Sequence, residues 1–103
     1  PSGGVLLEND GKGQFKDVTA SKLPNLRTIG MVTDAVWSDV DGDQQKDLIV
    51  VGDWMPVLVF KNQKGVFQDI SEQIGTHQLS GWWNKVVAAD LNGDGWEDLV
   101  LGN

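Results

Sequence analysis

Asp39-Val40-Asp41-Gly42-Asp43-Gln44-Gln45-Lys46-Asp47-Leu48-Ile49-Val50 is followed, 51 residues later, by Asp90-Leu91-Asn92-Gly93-Asp94-Gly95-Trp96-Glu97-Asp98-Leu99-Val100-Leu101. Each copy is a nine-residue loop with oxygen side chains at positions 1, 3, 5 and 9, running directly into an apolar stretch. In a tight turn alternate residues point at one centre, and the position-7 carbonyl can close the ring: Gln45 in the first loop, Trp96 in the second. Five or six oxygens plus water suit Ca²⁺, whereas Mg²⁺ demands strict octahedral geometry and keeps its waters. The expected ligands are therefore Asp39, Asp41, Asp43, Gln45 and Asp47 for one ion, and Asp90, Asn92, Asp94, Trp96 and Asp98 for a second.

Charge agrees with this. The chain carries 15 acidic and 8 basic residues, for a formal charge of -7, and seven of the carboxylates stand at the expected ligand positions of the loops. Like charges packed together repel unless a cation neutralises them. Asp-Gly and Asn-Gly are also common turn formers without metal; recurrence at one period, each time before an apolar strand, favours the metal reading. An EF-hand is excluded, because it needs a bidentate Glu at position 12, where this chain has Val50 and Leu101. Position 6 differs between the loops. Gly95 accepts a positive φ freely, whereas Gln44 there costs roughly 1 kcal/mol.

A second motif repeats in the same order. At an offset of 52, Val5-Leu6-Leu7 falls on Val57-Leu58-Val59, Phe15 on Phe67, and Asp17-Val18-Thr19 on Asp69-Ile70-Ser71. The apolar segments are three to five residues long and bounded by Gly, Asn and Asp, which reads as short strands. They are 5–7, 15–18, 35–37, 48–51, 57–60, 66–70, 86–89 and 99–101. Asn9–Gly13 and Asn62–Gly65 read as hairpin turns, and Ser71–Gly75 as one helical turn. The fold expected is all-β: two repeats of about 51 residues, each a four-stranded antiparallel blade, in a fragment of a β-propeller. Residues 1–20 supply the last two strands of one blade, 33–71 a complete blade, and 82–103 the first two strands of the next. Exposed sheet edges of such a piece invite pairing with another chain.

The Asp-x-Asp/Asn-Gly-Asp-x-x-x-Asp-Leu loops resemble the calcium loops of FG-GAP and VCBS-type repeats, which build integrin α-subunit propellers and many bacterial exported proteins. Val5–Thr19 looks like the second half of such a repeat. Val50-Val51-Gly52-Asp53-Trp54-Met55-Pro56 and Gly81-Trp82-Trp83-Asn84 resemble a bacterial subgroup found with ASPIC/UnbV-type domains. The Phe-Gly and Gly-Ala-Pro elements that name the repeat are not visible, so an integrin-like ligand mode does not carry over. The resemblance implies two structural Ca²⁺ ions, an extracellular, cell-surface or periplasmic location, and a surface used for binding; it implies no particular ligand, and a protein or a glycan partner both stay open.

Other classes are disfavoured. With no cysteine there is no disulfide, zinc ribbon or thiol chemistry. The acidic balance disfavours nucleic acid, and no apolar run approaches a membrane span. The chain opens on Pro1-Ser2-Gly3-Gly4, which reads as an internal piece of a longer protein. No catalytic constellation is visible, so the chain is read as non-enzymatic. His77, the one histidine, is expected exposed in a loop from Ile74 to Ser80. Asp34 and Asp53 have no assigned role, and Lys46, Lys61, Lys64 and Lys85 read as solvated surface. Five tryptophans are present. Trp37 and Trp54 are expected to pack between blades. Trp82 and Trp83, pointing opposite ways on a strand, offer a surface aromatic for the alternative reading, a carbohydrate-binding surface or part of a polysaccharide-active propeller enzyme.

Overall fold

The computed structural model describes residues 3–103; Pro1 and Ser2, the start of the first expected segment, lie outside the described residues. Among the described residues nine strands form three antiparallel sheets. β1 (Leu7–Asn9) and β2 (Phe15–Asp17) make a hairpin. β3 (Met31–Ser38), β4 (Asp47–Pro56), β5 (Leu58–Gln63) and β6 (Val66–Asp69) lie side by side in that order. β7 (Ser80–Trp82) also pairs with β4, and β8 (Lys85–Ala89) pairs with β9 (Asp98–Gly102). The architecture is that of an all-β, propeller-like fragment.

β4 organises the packing. After Asp47 it runs Leu48-Ile49-Val50-Val51, apolar without interruption, and pleating sends these residues to alternate faces. Leu48 and Val50 join Leu23, Leu26, Met55 and Phe60 in one buried cluster. Ile49 and Val51 join Val57, Val59 and Val86 in the other. Both faces of the central sheet are therefore covered. Residues 19–29 and Leu6 lie on one side, and β8–β9, through Val86, Leu99 and Leu101, on the other. Full burial of one Val, Leu or Ile side chain contributes about 1.5–3 kcal/mol.

The internal repeat is a repeat of hydrogen bonding. β3–β4 pairs Ser38 with Asp47 and Val36 with Ile49; β8–β9 pairs Ala89 with Asp98 and Val87 with Val100, the same register moved by 51. At the other hairpins, Thr19 and Ser71 each donate N–H and hydroxyl to the Asp two residues earlier, Asp17 and Asp69. Their hydroxyl oxygens accept Leu6 N–H and Val59 N–H, both at 2.8 Å.

That last match corrects the alignment of the first strand. Leu6 corresponds to Val59, and Leu7, opposite Asp17, to Phe60, opposite Asp69. The offset there is 53, not 52. The β5–β6 turn is one residue shorter, with Lys64 and Gly65 both at positive φ (55° and 88°), which is what a two-residue type I′ turn requires.

Three further differences concern extent. β3 and β4 run longer than the apolar stretches 35–37 and 48–51. A four-residue helix, α1 (Thr19–Lys22), and a 3-10 turn (Pro24–Arg27) fill a stretch to which the sequence assigned no element; elements of one turn are too short to show a period. The loop expected from Ile74 to Ser80 holds a 3-10 turn (Thr76–Gln78) and the start of β7. The helical turn expected at 71–75 is present as α2 (Ser71–Ile74), ended by Gly75 at φ 88°.

Candidate metal centre

The β3–β4 connection is the first aspartate loop, and its carboxylates organise the backbone. Asp39 Oδ1 accepts Gly42 N–H (2.8 Å) and Asp43 N–H (3.2 Å), while Oδ2 accepts Gln44 N–H (2.7 Å). Asp41 Oδ1 accepts Asp43 N–H (3.3 Å), and Asp43 Oδ1 accepts Gln45 N–H (2.9 Å). Asp47 Oδ2 accepts Val40 N–H (3.1 Å), which closes the loop at its base. Gly42 and Gln44 sit at φ 76° and 71°, so the position-6 residue does take the conformation that costs Gln44 its roughly 1 kcal/mol.

The β8–β9 loop reproduces this network atom for atom. Asp90 accepts from Gly93, Asp94 and Gly95 at 2.9, 3.2 and 2.8 Å. Asn92 accepts from Asp94 (3.3 Å), Asp94 from Trp96 (2.9 Å), and Asp98 from Leu91 (3.1 Å). Three backbone N–H donors, Gly95's foremost, hold the Asp90 carboxyl below the usual carboxylate range.

The loops differ in charge and surroundings. Asp39, Asp41, Asp43 and Asp47 each bring a carboxylate oxygen into one group, all within 4.8 Å of one another. No second such group of acidic or histidine side chains occurs among the described residues. In the other loop an amide, Asn92, stands where the first has Asp41. Asp47 is fully buried, at 0% exposure, with its second oxygen accepting Asn62 N–H from β5 at 2.8 Å. Among the described residues no cationic side chain pairs with it. Burying a carboxylate without a counter-charge is costly, and the converging oxygens of Asp39, Asp41 and Asp43 make this a fitting place for a divalent ion.

One basic residue departs from its expected role. Lys61, on β5, is not solvated surface: its Nζ pairs with Asp41 and donates to Asp43 Oδ2 at 2.6 Å, leaving the side chain 16% exposed. The two carboxylates push its pKa up, and its hydrogen bond holds Asp43 down. Sequence spacing gave no sign of this, because Lys61 reaches the loop only through the β4–β5 pairing. Lys46 approaches Glu97 (3.9 Å) but stays largely exposed, as expected of a solvated surface lysine.

The loops also touch. The Trp96 indole of the second lies over Gly42 of the first, so close that a Cβ there would be 2.5 Å from Cζ3. Ser38 donates to Glu97 at 2.8 Å beside it.

At the far end of β4 from the aspartate loop, the two tryptophan-containing motifs come together. Asp53 pairs with Trp82 and Met55 with Gly81 across β4–β7. Trp83 turns inward: its N–H donates to Gly52 O (3.1 Å), its indole N–H to Leu79 O (3.1 Å), and its ring packs on the second core. Trp82 is 54% exposed and Trp54 74% exposed, with centroids 4.4 Å apart. The outward aromatic pair is thus Trp54 with Trp82 rather than Trp82 with Trp83. Trp37 meets Phe67 at 6.1 Å. His77 is exposed, near Ser71 O. Asp34 gains a role: its Oδ2 accepts Val86 N–H (3.0 Å), tying β3 to β8 and lowering its pKa.

No helix among the described residues is long and apolar enough to cross a membrane. No curated protein and no solved structure matches the chain. The family model for the FG-GAP-like repeat matches residues 39–101, from the first residue of one aspartate loop to the strand that follows the other. With its repeated loops, repeated strand register and a match over more than half its length, the chain belongs to the FG-GAP-like repeat family.

Proposed function

We propose that this chain is a calcium-stabilised propeller module with a structural and binding role in an exported protein, and that it is not an enzyme. The observation that carries the calcium reading is the convergence of Asp39, Asp41 and Asp43 on the buried, cation-free Asp47. Asp39, Asp41, Asp43 and Asp47, with the Gln45 carbonyl, would hold one ion. Asp90, Asn92, Asp94 and Asp98, with the Trp96 carbonyl, would hold the second. The ion neutralises the loops and locks the turn between two strands of a blade. FG-GAP-like repeats typically serve as structural or interaction modules, which favours a non-catalytic role.

Residues 33–71 are read as one complete blade, flanked by 1–20 and 82–103 as parts of its neighbours. Val87 and Val100, paired across β8–β9 and both about half exposed, form an apolar face suited to a following blade. Extracellular calcium modules bind at roughly 10⁻⁴ to 10⁻³ M, which suits an extracellular, cell-surface or periplasmic setting.

The test is a thermal melt in EDTA, Mg²⁺ and millimolar Ca²⁺, on the native chain and on Asp43→Ala and Asp94→Ala. Each occupied site should add about 2.7 kcal/mol when free Ca²⁺ is 100 times the dissociation constant, and each variant should lose part of the gain. Identical melts in all buffers would reduce both loops to ordinary turns.

A carbohydrate-binding surface is the second reading. It is favoured by the exposed Trp54–Trp82 pair, which borders a hollow with Ser80 and Gly81. Flat aromatic faces suit pyranose rings, and a glycan-array signal abolished by Trp82→Ala would support it.

A further inference from the structure

We propose that Lys61 is a built-in competitor of the metal at the first aspartate loop and sets that loop's affinity, which rests on the calcium reading above. Its position is fixed by the strand. The next residue, Asn62, is anchored to the loop twice: its N–H donates to Asp47 Oδ1 (2.8 Å), and its side-chain amide donates to Lys46 O (3.0 Å). From that fixed backbone the lysine reaches the two exposed carboxylates opposite, pairing with Asp41 and donating to Asp43 at 2.6 Å. Among the described residues it is the one cation paired with the loop. An ammonium and a divalent ion that use the same two carboxylates repel each other at this range, so metal entry requires Lys61 to let go.

The second loop provides the comparison within the same chain. It has Asn92 in place of Asp41, and no lysine pairs with Asp94 among the described residues. The extra carboxylate among the first loop's expected ligands is thus matched by an extra ammonium, so that, counting the ligand side chains and Lys61 alone, the two sets carry the same net charge. Lys61 makes the first loop tolerable without metal and weakens its hold on metal. The ammonium is a flexible point charge on a long stem, able to leave without disturbing β5.

Calcium titration calorimetry on the whole chain tests this, in an Asp94→Ala background so that the first loop is read alone. Melts in EDTA are recorded alongside. Lys61→Met should tighten Ca²⁺ binding about tenfold and lower the melting temperature in EDTA. Lys61→Arg, which keeps the charge, should bind as the native lysine does. Lys61→Gln serves in place of Met if the latter does not fold. Unchanged or weaker binding in a folded Met or Gln variant would overturn the proposal and leave Lys61 as a bracket that shapes the loop. Binding absent from the Asp94→Ala parent but present in Lys61→Met would support it in its strongest form. Calcium heats absent from every protein, including one with native Asp94, would overturn the calcium reading itself, and the competitor with it.

Discussion

Gly42 carries two constraints at one Cα. Its φ of 76° lies in the left-handed region, and a Cβ would stand 2.5 Å from the Trp96 ring. Gly93, its counterpart, shares the φ (75°) but faces open space. Gly93→Ala should therefore cost only the backbone term, about 1–2 kcal/mol, and Gly42→Ala a further 1–3 kcal/mol, roughly, for overpacking. Melts of the two variants in EDTA check this; equal losses would mean that the Trp96 contact is not held in solution. At position 6 the expectation runs the other way. Gln44→Gly relieves a strained φ of 71° and should leave stability unchanged or raise it by up to about 1 kcal/mol. The turn residues were legible because each needs a particular local conformation. Lys61 and the Trp96 ring were not, because each meets the first loop across a strand pairing or a sheet-to-sheet contact.

Asp34 is the clearest link between elements, since a carboxylate on β3 accepts the Val86 amide of β8 at 3.0 Å. Asp34→Ala should cost about 1 kcal/mol or more. The loss should appear locally, as faster amide exchange at Val86 and along β8–β9 with β5–β6 unaffected. Uniform acceleration would show that the sheets open together. At this scale the sequence reading was partial. All eight expected strands are present as strand cores except the short β1, which shifts toward Asn9. β7 was read only as loop and motif, because three residues, Ser-Gly-Trp, have no alternation to detect. The one-residue slip in the first-strand alignment arose from turn length. Between Asp10 and Gln14 lie three residues, and between the equivalent Gln63 and Val66 only the two of the type I′ turn, so similarity in composition at Val5–Leu7 misplaced the strands by one.

Across the whole molecule the charge balance sets the response to pH. The carboxyls of Glu8, Asp17, Asp34, Asp43 and Asp90 are all held below their ordinary values, by Lys22, Thr19, Val86, Lys61 and Gly95 respectively as the leading partners. A depressed folded-state pKa contributes stability that is present above the unfolded value and lost as pH falls through the folded one. In EDTA the melting temperature should therefore hold from neutral pH to about pH 5 and fall below about pH 4. A melting temperature that rises on acidification would mean that repulsion within the loops outweighs these bonds. With millimolar Ca²⁺ the fall should be steeper, because protonated carboxylates release the metal.

The sequence by itself determined the repeat, the all-β class, the turn chemistry and the family, because each is written in local spacing: alternation for strands, Asp and Gly offsets for loops, and one period joining them. Tertiary structure alone decided which charges and rings meet. It seated Lys61 on the first loop, laid Trp96 on Gly42, drew Trp83 inward and left Trp54 with Trp82 at the surface. Those contacts depend on strand register and sheet packing between residues far apart in the chain, and a pattern of neighbours along the chain carries no record of them.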